Sequence, residues 1–231
     1  MFFSKKARND GILEGDAKIF GPSVIGQKTL IGDSVIIGYP IKRKIIILSN
    51  KASFSTYDDV SEGTRIGADC IIRSGTIIYE SSQLGNDVET GHNVLVREKT
   101  VVGDGTRIGT HSVIDGNVQI GNRNNLQTGV YIPPGTSIGS NIFMGPFVTV
   151  TNDKYPPSPK VSGVTISDNA IIGCRSVLIA GIKIGEEALV GAGSVVTKDV
   201  PPRTVVLGVP ARKVMTRDEY DRKQKNYLAQ P

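Results

Sequence analysis

A six-residue repeat of aliphatic side chains constrains the fold of this chain more than any other feature. Between residues 66 and 150 every sixth residue is hydrophobic at fourteen of fifteen positions, with Thr90 as the exception. Since 39% of the chain is hydrophobic, such a run would arise by chance with a probability of roughly 10^-5. The same period recurs in other phases over residues 13–37 and 166–196. The chain therefore contains three tracts of one repeat, separated by two insertions.

The repeat has two companion positions that indicate its geometry. Glycine often follows the aliphatic residue directly, and a small or β-branched residue stands four positions after it, as in the segment 66–70. A period of six fits neither a helix nor a plain strand. It fits short strands joined by tight corners, where glycine and asparagine supply positive φ. Coils of this kind stack about 4.8 Å apart and align identical positions into internal ladders.

Tandem [Ile/Leu/Val]-Gly-x-x-[Ser/Thr/Ala/Val]-x units over roughly residues 12–214 resemble the hexapeptide-repeat transferases. The resemblance implies an all-β fold, a left-handed parallel β-helix in the form of a triangular prism, with three hexads to a coil. This handedness is an exception to the usual right-handed crossover. Twenty-six hexads predict eight to nine coils and a prism about 40 Å long.

We expect one β-helix domain over residues 1–214 and a short C-terminal helix or tail over 215–231. The first insertion, 39–59, combines a basic cluster, 42–44, with a β-rich run of isoleucines. It is expected to form an irregular coil or a hairpin, as a structural elaboration or as a wall of an acceptor pocket. The second insertion, 151–165, is rich in proline and is expected to project as a loop.

The segment 195–214, VVTKDVPPRTVVLGVPARKV, resembles the VxGxPA closure of CoA-dependent hexapeptide enzymes. This resemblance implies acetyl-CoA as co-substrate and no metal. Phosphates need cations, and the cations that the resemblance implies for CoA are Lys198, Arg203, Arg212 and Lys213. Backbone amides near small residues are implied for the pantetheine or thioester, since a ligand can approach the backbone closely there; these residues are Gly173, Ala180 and Ala192.

The loop sequence FMGPFVTVTNDKYPPS, residues 143–158, is similar to a segment of nucleotide-sugar N-acetyltransferases. The related galactoside and maltose acetyltransferases carry a catalytic histidine in the matching loop, and this loop has none. The resemblance therefore favours N-acetylation of an amino sugar, nucleotide-linked and destined for surface polysaccharide, by direct attack of the amine on the thioester. Asn152 and Asp153 are predicted acceptor contacts, with Asn125 and Gln127 as further candidates. An Asx turn that opens the proline loop is the structural alternative for Asp153.

Histidine is the usual proton carrier at neutral pH, and the chain has only His92 and His111. Because residues 18 apart stack in a prism of three hexads to a coil, both are predicted near one edge, about 5 Å apart along the axis. The loop at 151 is expected to leave the prism just after the same ladder. We expect His111, or secondarily His92, to assist removal of the acceptor's proton. The alternative for each is a corner residue that hydrogen bonds to the next coil.

Other functions remain open on the sequence: an O-acetyltransferase on a sugar hydroxyl, or a non-catalytic scaffold subunit. A γ-class carbonic anhydrase needs three histidine ligands, more than this chain has. The net charge of +5 suits an anionic partner, but no pattern of stacking aromatics indicates nucleic acid. The resemblance implies a homotrimer with sites between subunits. Two cysteines and the absence of a long apolar run predict a cytoplasmic protein without membrane contact.

Overall fold

The computed structural model describes residues 1–48 and 51–230 and shows a β-helix of very short strands. Before the first insertion the strands are β1 Phe2–Phe3, β2 Arg8–Asn9, β3 Ile12–Leu13, β4 Lys18–Ile19, β5 Val24–Ile25, β6 Leu30–Ile31 and β7 Ile36–Tyr39. Between the insertions they are β8 Arg65–Ile66, β9 Ile71–Ile72, β10 Ile77–Tyr79, β11 Gln83–Leu84, β12 Glu89–Thr90, β13 Leu95–Val96, β14 Val101–Val102, β15 Arg107–Ile108, β16 Val113–Ile114, β17 Gln119–Ile120, β18 Asn125–Leu126, β19 Tyr131–Ile132, β20 Ser137–Ile138, β21 Phe143–Met144 and β22 Thr149–Val150. After the second they are β23 Thr165–Ile166, β24 Ile171–Ile172, β25 Val177–Leu178, β26 Lys183–Ile184, β27 Leu189–Val190, β28 Val195–Val196, β29 Thr204–Leu207 and β30 Arg212–Thr216.

Every third strand belongs to the same sheet, so the described strands form three faces of a prism. Sheet A stacks ten strands from β1 to β28, sheet B nine from β2 to β26, and sheet C eleven from β3 to β30. Neighbours in each sheet are parallel and 18 residues apart through most of the prism, as in the pairing of Ile77 with Leu95. The last pair, β29 with β30, is antiparallel. The predicted left-handed parallel β-helix with a short C-terminal helix is confirmed.

The prism is longer than the eight to nine coils predicted, because the repeat starts before residue 12. Strands β1 and β2 stack on β4 and β5, with Phe3 in register with Ile19 and Asn9 with Ile25. Polar Asn9 takes the register of an inward aliphatic residue, and Leu13 follows it after four residues instead of six. Both irregularities hide this coil from a search for a six-residue period. Ten stacked strands in sheet A correspond to a length of about 45 Å.

The inward aliphatic side chains form ladders in the core, and between residues 66 and 150 Thr90 takes the place of one of them. The hydroxyl of buried Thr90 lies 3.3 Å from that of Thr76 and accepts the N–H of Arg73 at 3.0 Å. These bonds satisfy the buried hydroxyl, which would be costly to leave unpaired. The single exception to the sequence repeat is therefore accommodated by local hydrogen bonds.

The first insertion is helical, so the expectation of an irregular coil or a hairpin was wrong. Its helices are α1, Lys42–Leu48, and α2, Phe54–Val60, and residues 49 and 50 between them lie outside the described residues. Ser53 caps α2 and forms a capping box with Thr56, which favours a helix start over a strand. The rings of Phe20 and Phe54, 6.1 Å apart, join α2 to the prism.

The remaining segments lie outside the coils. The second insertion leaves the prism after β22 and returns at β23 without regular secondary structure. The C-terminal helix α3, Arg217–Leu228, begins with a capping box between Thr216 and Glu219. Among the described helices, none has both the length and the apolar character that crossing a membrane requires.

Candidate active site on two edges of the prism

The corners between sheets stack into three edges, and the predicted site residues are distributed over them. The histidine edge consists of the corners from sheet C to sheet A, including 91–93 and 109–111. The loop edge consists of the corners from sheet A to sheet B and carries the insertion 151–163. The third edge consists of the corners from sheet B to sheet C. Sheet A therefore lies between the histidine edge and the loop edge.

Both histidines lie on the histidine edge, in consecutive coils. The backbone N–H of His111 donates to the carbonyl of His92 at 3.0 Å, and both side chains are exposed. Neither imidazole hydrogen bonds to another residue in the described ranges. The φ of His111 is +58°, a left-handed conformation that asparagine also adopts readily. The backbone thus holds the two corners together, while both rings remain available to a ligand.

A cavity of about 250 Å³ opens on sheet C beside the histidine edge. Asn125 and Gln127 line it, and the amide of Gln127 donates to the side-chain oxygen of Asn125 at 2.5 Å. Thr110 and Thr128 from the histidine edge form its rim. The structure therefore brings the two secondary acceptor candidates close to the histidine-bearing corners.

Asn152 and Asp153 lie elsewhere, on the loop edge. The expectation that the loop leaves beside the histidine ladder was wrong, because β22 carries the chain across sheet A before the loop begins. The carboxylate of Asp153 accepts the N–H groups of Tyr155 at 3.1 Å and Ser158 at 2.8 Å. Asn152 donates to the carbonyl of Pro134 at 3.3 Å. Both side chains organise the loop, as the Asx-turn alternative predicts, and they also line a cavity of about 280 Å³, the loop cavity.

The three predicted backbone donors are not equivalent. The N–H of Gly173 donates to Val190 at 2.7 Å, and that of Ala180, on the loop edge, donates to the hydroxyl of Thr151 at 2.9 Å. A side chain at Gly173 would drive its Cβ into the backbone nitrogen of Ala192, so close stacking of the coils requires glycine there. The N–H of Ala192 makes no hydrogen bond to any described residue. Of the three, Ala192 alone has an amide left for a ligand.

Several backbone N–H groups at the corners of the histidine edge make no hydrogen bond. At the third edge, the equivalent N–H groups donate to side chains of the next coil. There, Asn86 donates from its backbone to Asp104, Asp104 to Asn122 and Asn122 to Ser140, at 2.7 to 3.0 Å. On the histidine edge, the amide of His92 makes such a bond, to the hydroxyl of Thr110 at 3.2 Å. Within the described residues, four other corresponding amides make none, and these are the amides of Thr110, Thr128, Cys174 and Ala192. The histidine edge is therefore the one that combines free amide donors with imidazoles.

The cations predicted for the CoA phosphates are divided among different surfaces. Lys198 is exposed on the loop edge, and Arg212 and Lys213 are exposed on β30, the last strand of sheet C. Arg203 lies on the third edge, where its guanidinium is paired with Glu187 and Asp218. The charge and hydrogen bond of Asp218, with Glu187, raise the pKa of Arg203. These pairs connect the prism to α3, so Arg203 has a structural role that the sequence did not indicate.

A charged cluster on the loop edge was absent from the sequence-based candidates. Arg97 donates to Asp115 at 2.9 Å and to Glu98 at 2.9 Å, and the hydroxyl of Tyr131 donates to Asp115 at 3.0 Å. Burial and the neighbouring Asp115 raise the pKa of Tyr131, which keeps its hydroxyl a donor. Arg97 and Asp115 have opposite charges and stand 18 residues apart. That spacing is a sequence signal that could have found the pair.

The outer surfaces of the sheets also differ. The outward residues of sheet A are mostly apolar and half-buried, and they include Ile36, Ile77, Leu95, Val113, Tyr131, Val177 and Val195. Those of sheet B are mostly polar and exposed, and they include Arg8, Arg65, Gln83, Gln119, Ser137 and Lys183. A contiguous apolar face marks a surface that another molecule covers.

Comparison with known proteins identifies the repeat. The family model for the bacterial transferase hexapeptide (six repeats) matches residues 163–198, and that for the hexapeptide repeat of succinyl-transferase matches residues 99–134. A solved UDP-N-acetylglucosamine acyltransferase from Campylobacter jejuni shares the fold, with a TM-score of 0.53 and 16% identity over 94% of this chain and 81% of that one.

Similar curated proteins are 2,3,4,5-tetrahydropyridine-2,6-dicarboxylate N-acetyltransferases. That of Halalkalibacterium halodurans is 47% identical over 83 residues, which cover 36% of this chain and 34% of the relative. That of Thermotoga maritima is 59% identical over 64 residues, which cover 28% of this chain and 26% of the relative. The match thus spans no more than 34% of the length of either relative. Together with the three-sheeted β-helix, these matches show that residues 99–134 and 163–198 carry the hexapeptide repeat of bacterial transferases.

Proposed function

We propose that this protein is an acetyl-CoA-dependent N-acetyltransferase whose acceptor is a small anionic amine, with a nucleotide-linked amino sugar as the first candidate. The observation that carries the proposal is the histidine edge, where His111 lies on the same row of corners as four free backbone amides. Acyl transfer from a thioester needs a proton acceptor and donors for the developing oxyanion. The histidine edge offers both.

In the proposed reaction the neutral amine nitrogen attacks the thioester carbonyl carbon and forms the amide C–N bond. The C–S bond breaks, and CoA leaves as a thiolate that takes up a proton. The proton lost from the attacking nitrogen passes to His111 or to solvent. The free amides nearest His111 on the histidine edge are those of Thr110, in the same coil, and Thr128, in the next coil, and they donate to the carbonyl oxygen while it carries negative charge. The amide of Ala192 lies four coils away, about 19 Å along the prism, and suits the pantetheine arm instead. The exposed cations of the C-terminal segment, Arg212 and Lys213, suit the CoA phosphates.

A trimer would bring the two halves of the site together. We propose that the apolar face of sheet A is covered by two further copies of the chain around a threefold axis. Sheet A is flanked by the histidine edge on one side and the loop edge on the other. Rotation by a third of a turn therefore sets the histidine edge of one subunit against the loop edge of the next, a heterologous contact that closes into a ring. Each site then takes its histidines from one chain and its loop from the neighbour.

Placing a charge on sheet A is expected to dissociate this assembly. Leu95→Glu sets a carboxylate in the apolar face, where burial without a partner is costly. We expect light scattering behind size exclusion to show a trimer for the wild type and smaller species for Leu95→Glu. Gln83→Glu, the matched change on the polar face of sheet B, is expected to leave the trimer intact. A trimer that survives Leu95→Glu would contradict the assignment of sheet A as the interface.

The activity is tested by following thiol release from acetyl-CoA with a panel of nucleotide-linked amino sugars. We expect release with at least one amine acceptor, and none with the matched sugars that carry a hydroxyl in its place. Release with hydroxyl acceptors alone would replace the proposal by O-acetylation. Failure of acetyl-CoA to bind at millimolar concentration in calorimetry would instead favour a scaffold role.

A second candidate acceptor follows from the curated relatives. Their names give 2,3,4,5-tetrahydropyridine-2,6-dicarboxylate as the molecule that they acetylate, and local identity to this chain reaches 59%. The same assay with this dicarboxylate separates the two candidates. A nucleotide-linked amino sugar and a dicarboxylate share an anionic group, which the acceptor pocket must accommodate in either case.

A further inference from the structure

A cavity of about 470 Å³ opens on the loop edge, below the loop cavity. Two corners of the prism, 97–99 and 115–117, form its floor together with Pro134. Ile41 and Arg43, at the start of the first insertion, form its wall. Its size lies within the range of about 300–1,000 Å³ that is typical of small-molecule sites. We call it the edge cavity.

The charges of the edge cavity leave two cations without partners. Arg97 is held by the carboxylates of Glu98 and Asp115 and lies over the ring of Tyr79 at 5.7 Å. Arg97 bonds to both carboxylates, and the three groups together carry one net negative charge. Arg43 and Lys99 also line the cavity, and neither forms an ion pair with a residue in the described ranges. The lining therefore carries a net charge of +1 from three cations and two carboxylates, with the two unpaired cations exposed beside a guanidinium that is fixed in place.

Arg43 is placed by a buried ion pair next to it in the chain. The ammonium of Lys44 donates to Glu80 at 2.8 Å, and the Glu80 side chain is 2% exposed. Glu80 also accepts the N–H of Ile41 at 3.1 Å. The residues on both sides of this wall are therefore tied to the prism, which gives the first insertion a function: it fixes the side of the edge cavity that carries Arg43.

The edge cavity and the histidines lie at the same position along the long axis of the prism. His111 lies in the corner just before β16, and Asp115–Asn117 lie in the corner just after it. Rotation about an axis parallel to the prism preserves height, so in the proposed trimer His111 of one chain faces the edge cavity of its neighbour. The loop cavity lies higher, between the insertion 151–163 and the corner at Ala180. The edge cavity is thus the one that meets the histidines.

We infer that the edge cavity is the subsite for the anionic group of the acceptor, a phosphate or a carboxylate that Arg43 and Lys99 bind directly. Arg97 and Asp115 fix the shape of the floor. The inference rests on the proposed function, because it takes the histidine edge as the place where acyl transfer occurs. It identifies the first insertion as part of the acceptor site, whereas the proline loop supplies the upper wall.

The test measures the binding of two small anions by calorimetry at constant ionic strength, with no turnover required. Inorganic pyrophosphate represents a phosphorylated acceptor, and pyridine-2,6-dicarboxylate represents a dicarboxylic one. The variants are Arg43→Met and Lys99→Met, with Lys183→Met, an exposed residue on sheet B, as the matched control. We expect one anion to bind the wild type, and each edge-cavity variant to bind it about tenfold more weakly, the effect of losing one charge-assisted hydrogen bond. Lys183→Met is expected to bind it as the wild type does.

The two anions decide which acceptor chemistry the cavity takes. Tighter binding of pyrophosphate assigns the subsite to a phosphate, and tighter binding of the dicarboxylate assigns it to a carboxylate. Binding of neither anion by the wild type, or equal binding by all variants, would overturn the subsite. If the proposed function fails but the subsite exists, no acceptor releases thiol while anion binding still depends on Arg43 and Lys99. If the function holds and the subsite fails, acceptors are acetylated with the same KM by both variants.

Discussion

His111→Asn is expected to lower kcat for acetyl transfer about a hundredfold, the lower end of the range for loss of a general base. Asparagine tolerates the positive φ of this corner, so the backbone is retained while the proton acceptor is lost. His92→Asn is expected to lower kcat less than tenfold, because His92 lies one coil further from the free amides of Thr110 and Thr128. Single-turnover and steady-state thiol release with the best acceptor measure both effects.

Lys28→Asn is the matched control for His111→Asn, because Lys28 also occupies an exposed corner with positive φ, +56°. It lies far below the histidines along the prism, and its kcat is expected to remain that of the wild type. Thermal unfolding of all three variants by circular dichroism separates lost chemistry from lost fold. If kcat falls by less than about tenfold in both histidine variants, the effect is small compared with the usual loss of a general base. That result would mean that the amine needs no base from the protein.

The fold was predictable because the repeat encodes it redundantly. Each coil adds three inward aliphatic residues at fixed spacing, and a single polar replacement such as Thr90 leaves the period visible. Because residues 18 apart stack, the period by itself puts His92 and His111 on one edge, where the structure has them. The sequence did not predict the first coil, because Asn9 breaks the aliphatic pattern and the shortened corner after it breaks the six-residue phase.

The first insertion was harder to predict because its helices depend on tertiary contacts. The isoleucine run after Lys44 favours a strand by local propensity. In the structure Lys44 is tied to Glu80, which comes from a distant part of the sequence, and the aromatic ring of Tyr57 packs on that of Phe20. No local pattern contains these partners. Tertiary contacts therefore override local propensity in this segment.

The candidate site was partly predictable, for a similar reason. The sequence identified the histidines and the loop, but it did not resolve that one strand of sheet A separates them. Arg203 was predicted as a phosphate contact from the resemblance of its segment to the closure of CoA-dependent enzymes and from its charge. Its pairing with Glu187 and Asp218 becomes visible only when α3 is placed. The free amides of the histidine edge have no sequence signal beyond the absence of an Asn/Asp ladder. Geometry, rather than residue type, distinguishes that edge from the third edge.

Lys44→Met is expected to destabilise the protein by about 3–5 kcal/mol, since it leaves the carboxylate of Glu80 buried without its counter-ion. Glu80 keeps only the N–H groups of Ile41 at 3.1 Å and of Glu62 at 2.6 Å. Lys6→Met is the matched control, because Lys6 also pairs with a residue of the first insertion, Asp59, but both side chains are exposed. The control substitution is expected to lower the free energy of unfolding by less than about 1 kcal/mol, the usual contribution of a surface ion pair. Urea unfolding followed by circular dichroism measures the difference.

The second variant, Lys44→Met combined with Glu80→Gln, removes the buried charge and is expected to recover part of the loss. The recovery is incomplete because the N–H groups of Ile41 and Glu62 bond to different oxygens of Glu80 and glutamine has only one oxygen.

The pH dependence follows from the pKa of Lys44: burial lowers it, but hydrogen bonds to Glu62 and Glu80 outweigh this and raise it above 10.5. Because the pKa of Lys44 is higher in the folded state, its protonated form stabilises that state fully at pH values below the unfolded pKa of 10.5. This stabilisation is lost as the pH rises through the folded-state pKa. Wild-type stability should therefore fall in that alkaline range by an amount that Lys44→Met does not show. Equal alkaline loss in both proteins, or a loss of stability in Lys44→Met no larger than that in Lys6→Met, would mean that the pair between Lys44 and Glu80 does not anchor the first insertion. Arg43 would then lack the support that places it in the edge cavity.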